Sequence, residues 1–152
     1  MKISTKGHYA VQAMVDLATQ SKDFPVSLAS IALRQDISLS YLEQLFFKLR
    51  NAKLVKSVRG PGGGYLLARP SSGVTIGEIF SAVDENIILT DCLEDTEICS
   101  KTQKCVTQLL WRKVSESLQK TLFSITLNEV CNEAHLLEES AAVTADGFMY
   151  RI

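Results

Sequence analysis

Two short apolar runs, Leu54-Val55-Lys56-Ser57-Val58 and Tyr65-Leu66-Leu67-Ala68, flank the segment Arg59-Gly60-Pro61-Gly62-Gly63-Gly64. Glycine reaches backbone conformations closed to other residues and proline presets its own φ, so the segment must turn. The two runs therefore read as short strands of a β-hairpin over about 54–68. Immediately before it, Leu42, Leu45, Phe46 and Leu49 are spaced i, i+3, i+4, i+7 and define a helix with one buried face. Ser40 and Glu43 have the S-x-x-E spacing of a capping box at its start. Phe47 falls on the opposite side with Gln44, Lys48 and Asn51, where a solvated helix does not normally carry an aromatic ring.

Further upstream, Tyr9, Ala10, Met14, Leu17 and Ala18 recur at helical spacing after Ser4 and Thr5, and predict a helix over 4–20. A shorter helix begins at Ser27, with Leu28, Ile31 and Ala32 on one face, and Asp36-Ile37-Ser38 is a tight connection to the next. Downstream, Thr75 to Val83 reads as a short helix and 84–105 as an acidic loop. Val106, Leu109, Leu110, Val114 and Leu118 form a stripe on a helix over about 106–122. Thr126 and Glu129 form a second capping box, opening a last helix to about His135. The remainder, 136–152, shows little periodicity and is expected to be disordered.

The order of two helices, a tight turn, a third helix and a hairpin is that of a winged helix-turn-helix. The expected fold is mainly α, with a small β-hairpin wing and a long C-terminal dimerisation helix. The expected division is a DNA-binding domain at 1–83 (helix-turn-helix at about 28–51, wing at 54–68), a cysteine loop at 84–105 and dimerisation helices at 106–135. Charge agrees with this division. The net charge of the 152 residues is −1, but residues 1–70 carry ten Lys or Arg against four Asp or Glu, and 71–152 carry six against thirteen. A basic half points to an anionic partner, with double-stranded DNA first. A recognition helix presents its N-terminal residues to base edges. Here those are Ser38, Ser40, Tyr41 and Gln44, of which Gln44 suits an adenine edge. Lys48 and Arg50 suit phosphates, and Arg59 at the wing tip suits the narrow minor groove of A·T-rich DNA.

No apolar run is long enough to cross a membrane, and MKISTKGHYAV lacks the apolar stretch of a signal peptide, so a cytoplasmic protein is expected. Thiols stay reduced there, which favours metal binding for clustered cysteines. Cys92, Cys99 and Cys105 fall within fourteen residues and offer three soft ligands to iron, zinc or copper. Their C-x6-C and C-x5-C spacings differ from the C-x2-C of zinc ribbons and ferredoxins, and a fourth ligand is wanted. Cys131 lies on the apolar side of the last helix and reads as a small buried hydrophobe. There is no nucleophile–base pair, no H-E-x-x-H and no P-loop G-K-[ST], so an enzyme is not expected.

The segments ISTKGHYAVQAMVDLA, ISLSYLEQLFFKLRNAKLVKSVRGPGGGYLLAR and TIGEIFSAVDE resemble the Rrf-two family of winged helix-turn-helix regulators, and within it the iron–sulfur cluster regulators of the IscR type. The resemblance covers about 1–135. It implies a homodimeric bacterial regulator that binds promoter DNA and carries a [2Fe-2S] cluster on Cys92, Cys99 and Cys105. It also implies repression of cluster-assembly genes by the loaded form, with the assembly machinery as cluster donor. Glu43 then acts as a discriminator between classes of DNA site. Two departures stand out: the first spacer between cysteines is one residue longer, and the His expected three residues after the third Cys is Gln108. His8 occupies the position of an acidic ligand in nitric-oxide-sensing relatives, so the fourth ligand stays open between His8, Gln108, His135, an acidic loop residue, an exogenous thiol and none. A nitric-oxide or redox sensor with a different cluster is the rival within the class; a zinc-stabilised interaction module is the rival outside it.

Overall fold

The computed structural model describes residues 2–95, 97 and 105–149. Helix α1, Thr5–Gln20, starts at Ser4, whose hydroxyl accepts from the Gly7 amide, and buries Ala10, Ala13, Met14 and Leu17. Helix α2, Leu28–Gln35, is capped by Ser27 and ends at Asp36 in the left-handed conformation. That conformation costs aspartate little and turns the chain sharply into the next helix. Ile37 is buried at the turn.

Helix α3 spans Leu39–Asn51, and its cap is Ser38 rather than Ser40. The Ser38 hydroxyl accepts from the Tyr41 amide at 3.3 Å. The expected Ser40–Glu43 capping box does not form, because Ser40 already lies inside the helix. A capping residue must itself be extended, and the buried Ile37 anchors the chain so that Ser38 is the residue in that conformation. The expected buried face is present: Leu42, Leu45, Phe46 and Leu49 are all within the core.

Strands β1, Val55–Val58, and β2, Gly64–Leu67, pair antiparallel with Val55 opposite Leu67 and Val58 opposite Gly64. An isolated bridge beside the hairpin is not legible in the sequence. Val26 exchanges two backbone hydrogen bonds with Tyr65, at 2.9 and 2.8 Å, so the segment before α2 extends the wing. The approach is close enough that a Cβ on Gly64 would lie 2.3 Å from the Val26 carbonyl oxygen. The Phe46 ring meets Tyr65 edge to face at 5.0 Å between centroids and fixes the wing to α3.

A 3-10 turn at Ser71–Gly73 leads to α4, Ile76–Ala82, which is capped by a reciprocal Thr75–Glu78 box. Among the described residues of the acidic loop, Asp91–Glu94 form a helical turn, α5. Helix α6, Val106–Ser124, packs on α4, where the Phe123 ring lies so close that a Cβ on Gly77 would come within 2.4 Å. The Thr126–Glu129 box forms as expected, with Thr126 N donating to Glu129 at 2.7 Å and Glu129 N to the Thr126 hydroxyl at 3.3 Å.

Helix α7 runs Leu127–Met149 and packs along α1. It does not end near His135, and residues 136–149 are helical rather than disordered as expected. Ala, Glu and Leu recur there with no proline, so helix propensity is high although amphipathic periodicity is weak. The weak period has a physical counterpart: Leu136, Leu137 and Val143 are exposed, since the helix has outrun α1.

Candidate nucleic-acid interface and cysteine loop

The N-terminal end of α3 and the tip of the wing both present exposed polar side chains on the basic half. Ser38, Ser40, Glu43 and Gln44 are exposed, and Tyr41 is half-buried with its ring edge-to-face on Tyr9 at 6.0 Å. Phe47 is exposed, and the Arg50 guanidinium covers it at 5.7 Å from the ring centroid.

At the wing tip, Gly60 and Gly62 have φ of 102° and 72°, which other residues adopt only under strain. A Cβ on Gly63 would lie 2.4 Å from the Val58 carbonyl oxygen. The turn therefore depends on glycine for conformation and for room, and it leaves Arg59 exposed at its edge.

Lys48 is not free: its ammonium lies 2.6 Å from the Asp84 carboxylate, which it holds below the usual carboxylate range. Beside it, Glu85 accepts from the Ser4 amide at 2.9 Å and from the Ser4 hydroxyl. Burial pushes the Glu85 carboxyl up, and the Ser4 hydrogen bonds and the nearby Lys6 charge outweigh it, holding it below its ordinary value. Reading the residues singly missed both acids. They lie far from their partners in sequence, so neither spacing nor periodicity marks them. The segment 84–85 therefore joins α1, α3 and the start of the cysteine loop.

In that loop, Cys92 on α5 and Cys105 at the cap of α6 are both half-buried. Their sulfurs lie 3.2 Å from the Thr90 hydroxyl and 3.0 Å from the Thr107 hydroxyl, respectively. Cys99 lies outside the described residues. Gln108, one turn into α6, is only 5% exposed, and its Nε2 donates to the Cys92 carbonyl at 3.1 Å. The side chain standing in the expected His position thus ties α5 to α6 and draws the segments carrying Cys92 and Cys105 together. Soft thiols, partly sheltered and held on two fastened segments, fit a thiophilic metal or an iron–sulfur cluster in donor chemistry.

His8 is exposed on α1 and, with His135, lines a cavity of about 590 Å³ between α1, α2 and α7. Beneath that cavity Asp16, 6% exposed, accepts from Arg34 at 3.0 and 2.7 Å and from Gln35 at 2.7 Å, fastening α1 to α2. Cys131 is 7% exposed and burial pushes its thiol up, as befits a core residue.

Comparison with known proteins agrees with this architecture. The family model Rrf2, described as iron-dependent transcriptional regulator, matches residues 3–133. The HTH-type transcriptional regulator IscR of Klebsiella pneumoniae is 51% identical over 140 residues, covering 92% of this chain and 85% of that protein. The solved structure of T. potens IscR superposes with a TM-score of 0.73 at 44% identity, covering 88% of each chain. CymR, the global cysteine regulator of B. subtilis, superposes with a TM-score of 0.71 at 37% identity, covering 88% of this chain and 98% of its own. Relatives of this kind are regulators and not enzymes, and no described helix is long and apolar enough to cross a membrane. With an exposed recognition helix, a glycine-built wing and these relatives, the chain belongs to the Rrf2 family of winged helix-turn-helix, DNA-binding transcriptional regulators.

Proposed function

We propose that this regulator senses iron–sulfur cluster status and represses cluster-assembly genes when a [2Fe-2S] cluster is bound. The observation that carries the reading is the fastening of Cys92 and Cys105 through Gln108, in a loop whose root grips the recognition helix through Asp84. Cys92, Cys99 and Cys105 are the thiolate ligands. The cluster supplies a charged, removable cross-link between α5 and α6, lost when iron or cluster supply falls. The chain's own residues do the rest: Gln108 pre-positions the segments, and Asp84 and Glu85 connect them to α3 and α1. The protein works in the cytoplasm, and the assembly machinery supplies the cluster.

On DNA, Ser38, Ser40, Tyr41 and Gln44 face the bases, Lys48 faces a phosphate, Arg59 enters the minor groove and Glu43 penalises weakly matching sites. The exposed side chains of α6 make the chain a homodimer, so half-sites stand about one helical turn apart. Gln44→Ala is expected to cost roughly 1–3 kcal/mol on the preferred sequence and to relax one base position per half-site. Arg59→Ala weakens binding most at A·T-rich flanks. Gel-shift titrations showing wild-type affinity for both variants would reject this interface.

The cofactor is tested by anaerobic purification, an absorption spectrum, and iron and sulfide counts. A brown-red protein with equal iron and sulfide supports the reading, whereas a colourless zinc protein rejects it. The fourth ligand is resolved by visible-absorbance decay. Gln108→Ala is expected to speed cluster loss and, in cluster-free protein, to increase proteolysis of the loop, because it releases α5 from α6. Gln108→His keeps the position polar and adds an imidazole, and is expected to slow the decay. His8→Ala affects retention only if a second copy brings His8 to the loop. Equal decay and equal proteolysis in all variants would remove Gln108 from the site.

A further inference from the structure

Asp84 stands where the DNA-binding domain ends and the cysteine loop begins, two residues past the end of α4. Its φ of 55° turns the chain back across α1 and α3. Two lysines from two helices converge on this residue: Lys48 of α3 approaches its carboxylate at 2.6 Å, and Lys6 of α1 donates to its carbonyl at 2.8 Å. The neighbouring Glu85 sits so tightly over α1 that a Cβ on Gly7 would come within 2.8 Å of its Cγ. The junction is thus held at three points. For an ammonium, carboxylate and phosphate are alternative partners.

We propose that Asp84 competes with the DNA phosphate for Lys48, so that the root of the cysteine loop sets how firmly the recognition helix holds DNA. The proposal rests on the reading of Lys48 as a phosphate contact. A lysine paired with a carboxylate offers no net charge, and the carboxylate itself repels the DNA backbone. Displacing Asp84 releases one positive charge and withdraws one negative charge from the flank of α3. Asp84 lies eight residues before Cys92, so a change at the loop's root acts on the recognition helix without passing through the core.

The test uses the full-length protein as purified anaerobically and a duplex that the wild type selects from a random pool. Asp84→Asn preserves size and tolerates the left-handed backbone. Because the pair is largely exposed, Asp84→Asn is expected to tighten binding by about two- to fivefold and to steepen the dependence of log affinity on log salt by up to about 1. Lys48→Gln weakens binding, and Asp84→Asn in the Lys48→Gln background adds less than the same change in wild type. A gain of equal size in both backgrounds would show general repulsion and overturn the competition. If Lys48→Gln weakens binding while Asp84→Asn changes nothing, the competition is rejected and the phosphate contact stands. If Lys48→Gln binds like wild type, the contact is rejected and the competition with it.

Discussion

Leu110→Glu is expected to produce a monomer at micromolar concentration and to lower affinity for palindromic DNA by about 100- to 10,000-fold. Along α6, Val106 is 78% exposed, Leu109 55% and Leu110 50%, with Trp111 and Val114 also open to solvent. A contiguous apolar face of this kind marks an interaction surface. Its own chain does not need it: α6 packs inward on α4 through the other side, with Leu122 against the core. A carboxylate at Leu110 therefore leaves the fold of one chain intact and places an unpaired charge in the contact between two. The DNA effect follows because each copy then engages one half-site alone. Sedimentation and binding to single and paired half-sites measure it. A wild type that is monomeric at micromolar concentration, or a variant that binds both DNAs as wild type does, would overturn the dimer.

Phe46→Ala is expected to cost about 3–5 kcal/mol of folding stability. Phe46 is fully buried, and its ring supports Tyr65 of the wing, so the change opens a cavity and loosens the wing from α3 together. For a chain of this size the loss corresponds to a drop of roughly 6–20 °C in melting temperature. The adjacent Phe47 is the control. It is 55% exposed and touches the Arg50 guanidinium, so Phe47→Ala is expected to change stability by no more than about 0.5 kcal/mol. Urea titrations of the two variants give the comparison. Equal losses would mean that the helix faces are not divided as described.

Much of the winged domain was readable because its elements are local. Leu42, Leu45, Phe46 and Leu49 form a buried face at helical spacing, and the glycines between Arg59 and Tyr65 permit only a turn; both appear where expected. The helix ends were less legible. Ser40-x-x-Glu43 has the right residues for a cap, but the buried Ile37 makes Ser38 the extended residue. The last helix outran its periodicity, since α7 past His135 depends on backbone propensity and buries none of Leu136, Leu137 or Val143.

The candidate site divides along the same line. Residue type alone marked Cys92 and Cys105 as soft ligands and Gln44 and Arg59 as groups for DNA, because that chemistry belongs to the side chain wherever it lies. Tertiary structure decided what those side chains touch. It set His8 and His135 on the wall of one cavity and put Gln108 on the Cys92 carbonyl. It also set Asp84 against Lys48, thirty-six residues away in sequence. Helix periodicity and turn chemistry act over a few residues and are written in order along the chain. An ion pair or a hydrogen bond between distant segments exists only once packing has brought them within about 3 Å.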